Sequence, residues 1–195
     1  PLPKKEWKKR IKQEAGETIP VMNETEYRAI VETYRKRKQE KGKQIYVKRR
    51  RESAARLLPA IQFMGLFGLR VGDLPSVKID GDSFSYAAKG GNTHRRQISE
   101  SWDPEAATKL LRSLRKEPFK NLRPGTVQIR LKQLTKQLTD AERIRYPYTA
   151  HDLRHFFARM VYSGSRDVYQ VKRYLGHSSI AVTETYLQQI GAKEE

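Results

Sequence analysis

His151, Arg154, His177 and Tyr186 stand within 36 residues near the carboxyl end of the chain, in the strings HDLRH and LGHSSIAVTETYL. Their types match the needs of phosphodiester cleavage. The transition state calls for cations at the non-bridging oxygens, proton donors at the bridging oxygens and a nucleophile in line; arginine, histidine and tyrosine supply these in turn. Each residue also has a bland reading. A tyrosine on a short helix is more often an ordinary aromatic than a nucleophile, and a histidine after glycine is commonly a turn residue. His151 and His155 at i and i+4, with Asp152 beside the first, imitate a zinc-protease helix. Arg154 on the same face would repel a dication, and no glutamate is placed to activate a metal-bound water, so no metal is expected.

The rest of the chain must supply the phosphodiester's carrier. Lys and Arg number 40 against 22 Asp and Glu, a formal charge of +18, and self-repulsion of this size points to a polyanionic partner, with nucleic acid first. The excess lies ahead of the reactive strings: residues 1–52 carry +9, 53–150 carry +8 and 151–195 only +1. Lys48, Arg49, Arg50, Arg51, Arg95 and Arg96 are the candidates for DNA-backbone contact, each equally readable as solvated surface. The absence of cysteine excludes disulfides, thiolate metal sites and thiol nucleophiles. The longest apolar stretch, Leu57 to Leu69, holds Gln62 and two glycines and is too short to span a bilayer, which needs about 20 residues; it reads as a core helix. The chain starts at Pro1 with no leader pattern, so residues 1–20 are expected to be a basic linker from a preceding DNA-binding domain, with one domain over 21–195.

The elements that would position the reactive strings follow from periodicity and punctuation. A helix is expected over 24–41, capped by Asn23 or Thr25, and a second from about Ser53 to Phe67, entered through the Lys48 to Arg51 run and ended by Gly65 and Gly68. Between Val77 and Ser99, turns at Gly81 and Asp82 and at Gly90 and Gly91 predict a small three-stranded antiparallel sheet. Asp103 caps a helix to about Arg115, and Pro124 opens one to about Arg143. The carboxyl third reads as three helices. In the first, introduced by Thr149 or Ala150, Leu153, Phe156, Phe157 and Met160 form an apolar face opposite His151, Arg154 and His155, and Gly164 ends it. The second spans Asp167 to Leu175, Gly176 and His177 make the turn, and the third carries Tyr186. The fold class is mostly α, a helical bundle with one small sheet.

GLRVGDL at 68–74, AKGG at 88–91, HDLRH at 151–155, LGHSS at 175–179 and Tyr186, taken in this order, resemble the catalytic domain of the tyrosine recombinases, or phage integrases. The resemblance implies the fold of DNA breaking-rejoining enzymes and strand cleavage through a 3′-phosphotyrosyl intermediate. Arg70 and Arg154 would clamp the scissile phosphate and His151 would act as acid and base. His177 would donate a hydrogen bond to that phosphate, Lys89 would protonate the departing 5′-hydroxyl, and Tyr186 would attack. No cofactor is implied, because the phosphotyrosine keeps the energy of the broken bond. With an unperturbed pKa of ~10, Tyr186 must either lose its proton during attack or have its pKa lowered by neighbouring cations, for which Arg154 and His177 are the candidates. The implied partners are double-stranded DNA, three further copies forming a tetramer on paired sites with strands exchanged through a Holliday junction, and an accessory or excision factor. The implied setting is the prokaryotic or viral cytoplasm, with no membrane. Two departures stand out. The strand after Lys89 is more basic than the family's, which makes Lys78 the alternate, and only nine residues follow Tyr186, where many members carry a further docking helix. A type IB topoisomerase and a catalytically retired DNA-binding regulator are the alternative functions.

Overall fold

The computed structural model describes residues 20–88 and 91–192, so nearly all of the expected linker over 1–20, and Lys89, lie outside the described residues. Helix α1 (Glu24–Gln39) starts where Asn23 and Glu26 form a reciprocal capping box, and it lays Tyr27, Ile30, Val31 and Tyr34 inward. Helix α2 (Ile45–Phe67) is the long central element. It begins eight residues earlier than the sequence suggested, so Lys48 to Arg51 ride on its first turns as exposed residues instead of leading into it. Lysine and arginine are good helix formers, and their charge hid a stripe that Val47, Ala54, Leu57 and Leu58 continue inside.

Gly68 ends α2 in the left-handed region at φ 70°, and a Cβ there would lie 2.2 Å from the Phe157 ring. Both the backbone conformation and the space demand glycine. Gly68→Ala is therefore expected to lower stability by about 2–4 kcal/mol, combining left-handed strain with overpacking, and the urea midpoint should fall at unchanged slope. Gly65, expected to help end the helix, instead sits within it, where a Cβ would meet Tyr27 at 2.2 Å.

The sheet has strand order β1 (Lys78–Asp80), β2 (Ser83–Ala87), β3 (Thr93–Gln97), antiparallel throughout, as the two turns predicted. Helices α3 (Pro104–Ser113, capped by Asp103) and α4 (Pro124–Asp140) follow the sheet. Helix α5 (Ala150–Ser165) follows Thr149, whose amide and hydroxyl both donate to the Asp152 carboxylate. It runs past Gly164, and Arg166, at φ 53°, takes the left-handed cap. Helices α6 (Val168–Leu175) and α7 (Ile180–Gln189) end the described chain.

Two apolar clusters result, and α5 stands between them. Leu153 and Phe156 join the larger one, built from α1 to α4 and the sheet, whereas Phe157, Ala158 and Val161 join a smaller one with Val171, Leu175 and Leu187 of α6 and α7. The single apolar face expected for this helix is thus two. Glu26 holds the entry to α5 from across the chain: it is buried and accepts hydrogen bonds from Arg145 and Tyr148. Burial would raise its carboxyl, but the bonds from Arg145, Asn23 and Tyr148 outweigh that and hold it below its ordinary value.

Candidate active site

Arg154 is the hub. It is 4 % exposed, and its guanidinium donates to the Gly68 carbonyl at 2.8 Å and to the Leu175 carbonyl at 2.6 Å. One side chain on α5 thereby joins the GLR turn at the end of α2 to the LGH turn at the end of α6, satisfying carbonyls that a helix terminus leaves without intrahelical partners. A guanidinium has five N–H donors, so donors remain after these two bonds. Burial, then the nearby Arg70 charge, pushes its pKa down to about 10, which leaves it cationic at neutral pH. Arg70 itself is exposed at the mouth of the site and acts electrostatically on Asp73, Arg154, His177 and Tyr186. Asp73 is buried beside the two arginines; desolvation raises its carboxyl despite them.

Tyr186 reaches this cluster from α7. Its ring stacks on His155 with centroids 5.0 Å apart and meets the His177 ring edge-on at 5.4 Å, while His151 and His155 stand edge-on at 4.5 Å. The Tyr186 hydroxyl is buried without a hydrogen-bond partner. Burial raises the phenol's pKa, and the lowering by Arg154 and Arg70 does not compensate. Of the two routes to ionisation the resting site does not take the cation-lowered one: Arg154 lowers the phenol's pKa, His177 does not act on it as a cation, and the net shift is upward, which leaves loss of the proton during attack. His177 is neutral at pH 7, because burial first, then Arg154, Arg70 and Lys172, lowers its pKa to about 4. Its Nδ1 lies 3.1 Å from the Thr183 hydroxyl.

The structure thus brings Arg70, His151, Arg154, His177 and Tyr186 into one locality; Lys89 lies outside the described residues. Lys78, the alternate, is exposed, with its ammonium 3.9 Å from the Glu117 carboxylate. Among the described residues no group of three or more His, Asp or Glu is arranged to hold a metal ion. Of the six basic candidates for DNA contact, Lys48, Arg49, Arg50, Arg51 and Arg95 are exposed, Arg95 pairing with Asp80 at 3.2 Å. Arg96 is a correction. It is 4 % exposed, ion-paired to Glu100, and donates to the carbonyls of Phe67 and, at 2.6 Å, Tyr174. Alternation along β3 was the missed signal: Arg95 points out, so His94 and Arg96 share the inner side.

His94, Thr183 and His155 also belong to this locality; the sequence singled out neither His94 nor Thr183, and His155 was read there as a supporting, non-catalytic residue. His94 stacks on Tyr86 at 5.5 Å and faces the Gly176 turn. Thr183 is fully buried, three residues before Tyr186 and so on the neighbouring turn of α7. His155 is buried against the Tyr186 ring.

A helical bundle with a three-stranded antiparallel sheet is a fold already seen in recombinases. Solved structures share it: XerA recombinase superposes with a TM-score of 0.63 at 19 % identity, covering 91 % of this chain and 66 % of that one. XerH site-specific recombinase bound to a palindromic difH substrate, a post-cleavage complex, gives a TM-score of 0.55 at 17 % identity over 90 % of this chain and 51 % of that one. The phage integrase family model matches residues 92–191, and the chain belongs to that family. Tyrosine recombinase XerC of Caldanaerobacter subterraneus subsp. tengcongensis is 28 % identical over 132 residues, 61 % of this chain but 37 % of that protein. The chain therefore spans little more than a third of the curated relative's length.

Proposed function

We propose that this chain is the catalytic domain of a site-specific DNA recombinase that cuts and rejoins strands through Tyr186. The observation that carries the reading is the Tyr186 phenol buried within reach of the Arg154 and Arg70 charges, between His155 and His177. Arg70 and the spare donors of Arg154 hold the non-bridging oxygens of the scissile phosphate, where guanidinium geometry suits two oxygens at once. The Tyr186 oxygen attacks phosphorus, the bond to the 5′ oxygen breaks, and a 3′-phosphotyrosyl link forms. His151, exposed at the start of α5, takes the phenolic proton, and Lys89 gives one to the departing 5′ oxygen. Attack by a 5′-hydroxyl reverses both transfers and reseals the strand. Because the phenol is raised when buried, proton loss accompanies the arrival of phosphate and does not precede it. The partner is duplex DNA, and the reading extends to a tetramer on two sites with an accessory factor, acting in the cytoplasm.

The experiment is cleavage of a nicked duplex built from the ends of the element that encodes the chain, so that a short strand diffuses away and traps the intermediate. DNA that stays attached in SDS through its 3′ phosphate, with EDTA present, supports the reading. A bound duplex that never becomes attached, with the full-length protein, refutes it.

Thr183 sets how His177 works. For Nε2–H to face the phosphate, neutral His177 must accept at Nδ1 from the Thr183 hydroxyl, whose one proton then leaves its longer 3.4 Å bond to the Ser179 carbonyl; the other tautomer would present a lone pair to an anion. Thr183→Val should reduce single-turnover cleavage by roughly tenfold at unchanged DNA affinity, and Thr183→Ser should restore it.

The His177 pKa also predicts a pH dependence. It titrates near ~6.5 when unfolded and at about 4 when folded, so between these values the unfolded chain binds more protons. Its contribution to stability is fully present above pH ~6.5 and is lost as pH falls through 4. Denaturation midpoints should decline from pH 6.5 to 4, and the decline should be shallower in His177→Gln.

A further inference from the structure

The amino-terminal half of α2 forms a second cationic site, away from the chemistry. Roughly 25 Å of helix axis separate Arg50 from Phe67 at 1.5 Å per residue. There the last turns of α1, the first half of α2 and the middle of α4 border an open cavity of about 470 Å³ bearing Arg37, Arg49, Arg50 and Arg130, with no carboxylate among its lining residues. Its donors are organised. Arg37 donates to the Gln137 amide oxygen at 2.8 Å and Arg130 to that of Gln133 at 3.2 Å, so both amides turn their oxygens to the guanidiniums and keep their N–H₂ groups as donors. Arg50 meets Glu40 at 3.2 Å outside the lining.

Tyr34 supplies the independent observation. Its side chain is 3 % exposed, its hydroxyl has no hydrogen-bond partner, and it lines this cavity. Arg37 and Arg130, which line the same cavity, both act electrostatically on that hydroxyl. A buried hydroxyl without a partner is held at a cost unless something fills its valence. Burial lowers the Arg37 pKa, so this cation too is held at a cost that an anion would offset.

We propose that this cavity is a phosphate-binding site. Four guanidiniums, two amides and the Tyr34 and Ser53 hydroxyls offer more donors than the two oxygens of a carboxylate accept, and a phosphate presents three or four oxygens to guanidinium forks. Tyr46, 58 % exposed with the Arg50 guanidinium 5.9 Å from its ring centroid, gives the rim a flat face for whatever carries the phosphate. The phosphate belongs either to DNA flanking the cleavage point or to a free phosphorylated ligand.

Calorimetric titration with pyrophosphate, and duplex binding measured against salt, test the assignment on wild type, Arg37→Gln, Arg130→Gln and Tyr34→Phe. Arg130 is exposed, so its replacement leaves the fold intact. Tyr34→Phe removes only the unpartnered hydroxyl and should not lower the melting temperature. Pyrophosphate affinity is expected to fall by about tenfold in either arginine variant and severalfold in Tyr34→Phe. If the duplex salt slope also drops by about one for each arginine removed, the phosphate is DNA's; if that slope stays put, it is a free ligand's. Variants that change neither pyrophosphate affinity nor salt slope overturn the proposal.

Discussion

Tyr186→Phe is expected to bind duplex DNA as the parent does and to form no SDS-stable adduct, with cleavage reduced by about four orders of magnitude or more. The structure adds a prediction about stability. The hydroxyl removed is buried and has no hydrogen-bond partner, so its loss breaks no bond and relieves a desolvated polar group. The phenylalanine protein should therefore melt at the same temperature or slightly above. Thermal melts and gel assays on the same preparations check both halves. An adduct that persists in the phenylalanine protein would assign the nucleophile elsewhere among the ten tyrosines.

Arg154→Ala is expected to combine two losses. Without the guanidinium, the carbonyls of Gly68 and Leu175 have no partner in a buried setting, at roughly 1–3 kcal/mol each, so total destabilisation should be about 3–5 kcal/mol. Cleavage should disappear even under conditions where the variant remains folded. Arg96→Ala provides the contrast, because Arg96 makes the equivalent bonds one residue earlier, to Phe67 and Tyr174. It should lose comparable stability while retaining cleavage per folded molecule. Urea titrations with single-turnover cleavage below the transition separate the two arginines; equal loss of cleavage in both would reduce Arg154 to a purely structural residue.

The sheet was legible because glycine-bearing turns at Gly81 and Gly91 bracket short alternating strands, and the carboxyl helices were legible because Asp167 starts one of them and the Gly176–His177 turn separates it from the next. The locality of Arg70, His151, Arg154, His177 and Tyr186 was legible as an ordered set of strings. What escaped reading depends on three-dimensional burial. Charge on Lys48 to Arg51 masked the first turns of α2, because periodicity counts apolar residues and these turns carry few. Nothing local distinguishes Arg96, folded inward, from Arg95, facing out, except the alternation of a strand only five residues long. The direction of the Tyr186 shift was unreadable for the same reason: cation neighbours were visible as types, whereas the desolvation that outweighs them belongs to packing. The cavity at Tyr34 joins segments of α1, α2 and α4 that are far apart in the chain, and no motif announces it.

The division of the interior into two apolar clusters has a cost and a use. Arg70 follows a helix rooted in the larger cluster, whereas Tyr186 rides on a helix rooted in the smaller one, and Arg96 and Arg154 pin the two together at adjoining helix ends. Small cooperative units open at lower free energy than the whole molecule. A transient parting of these two units would draw Tyr186 away from Arg70 while leaving most of the fold intact. In a site assembled in this way, the bonds of Arg96 and Arg154 to the ends of two helices set how firmly Tyr186 is held beside the arginines.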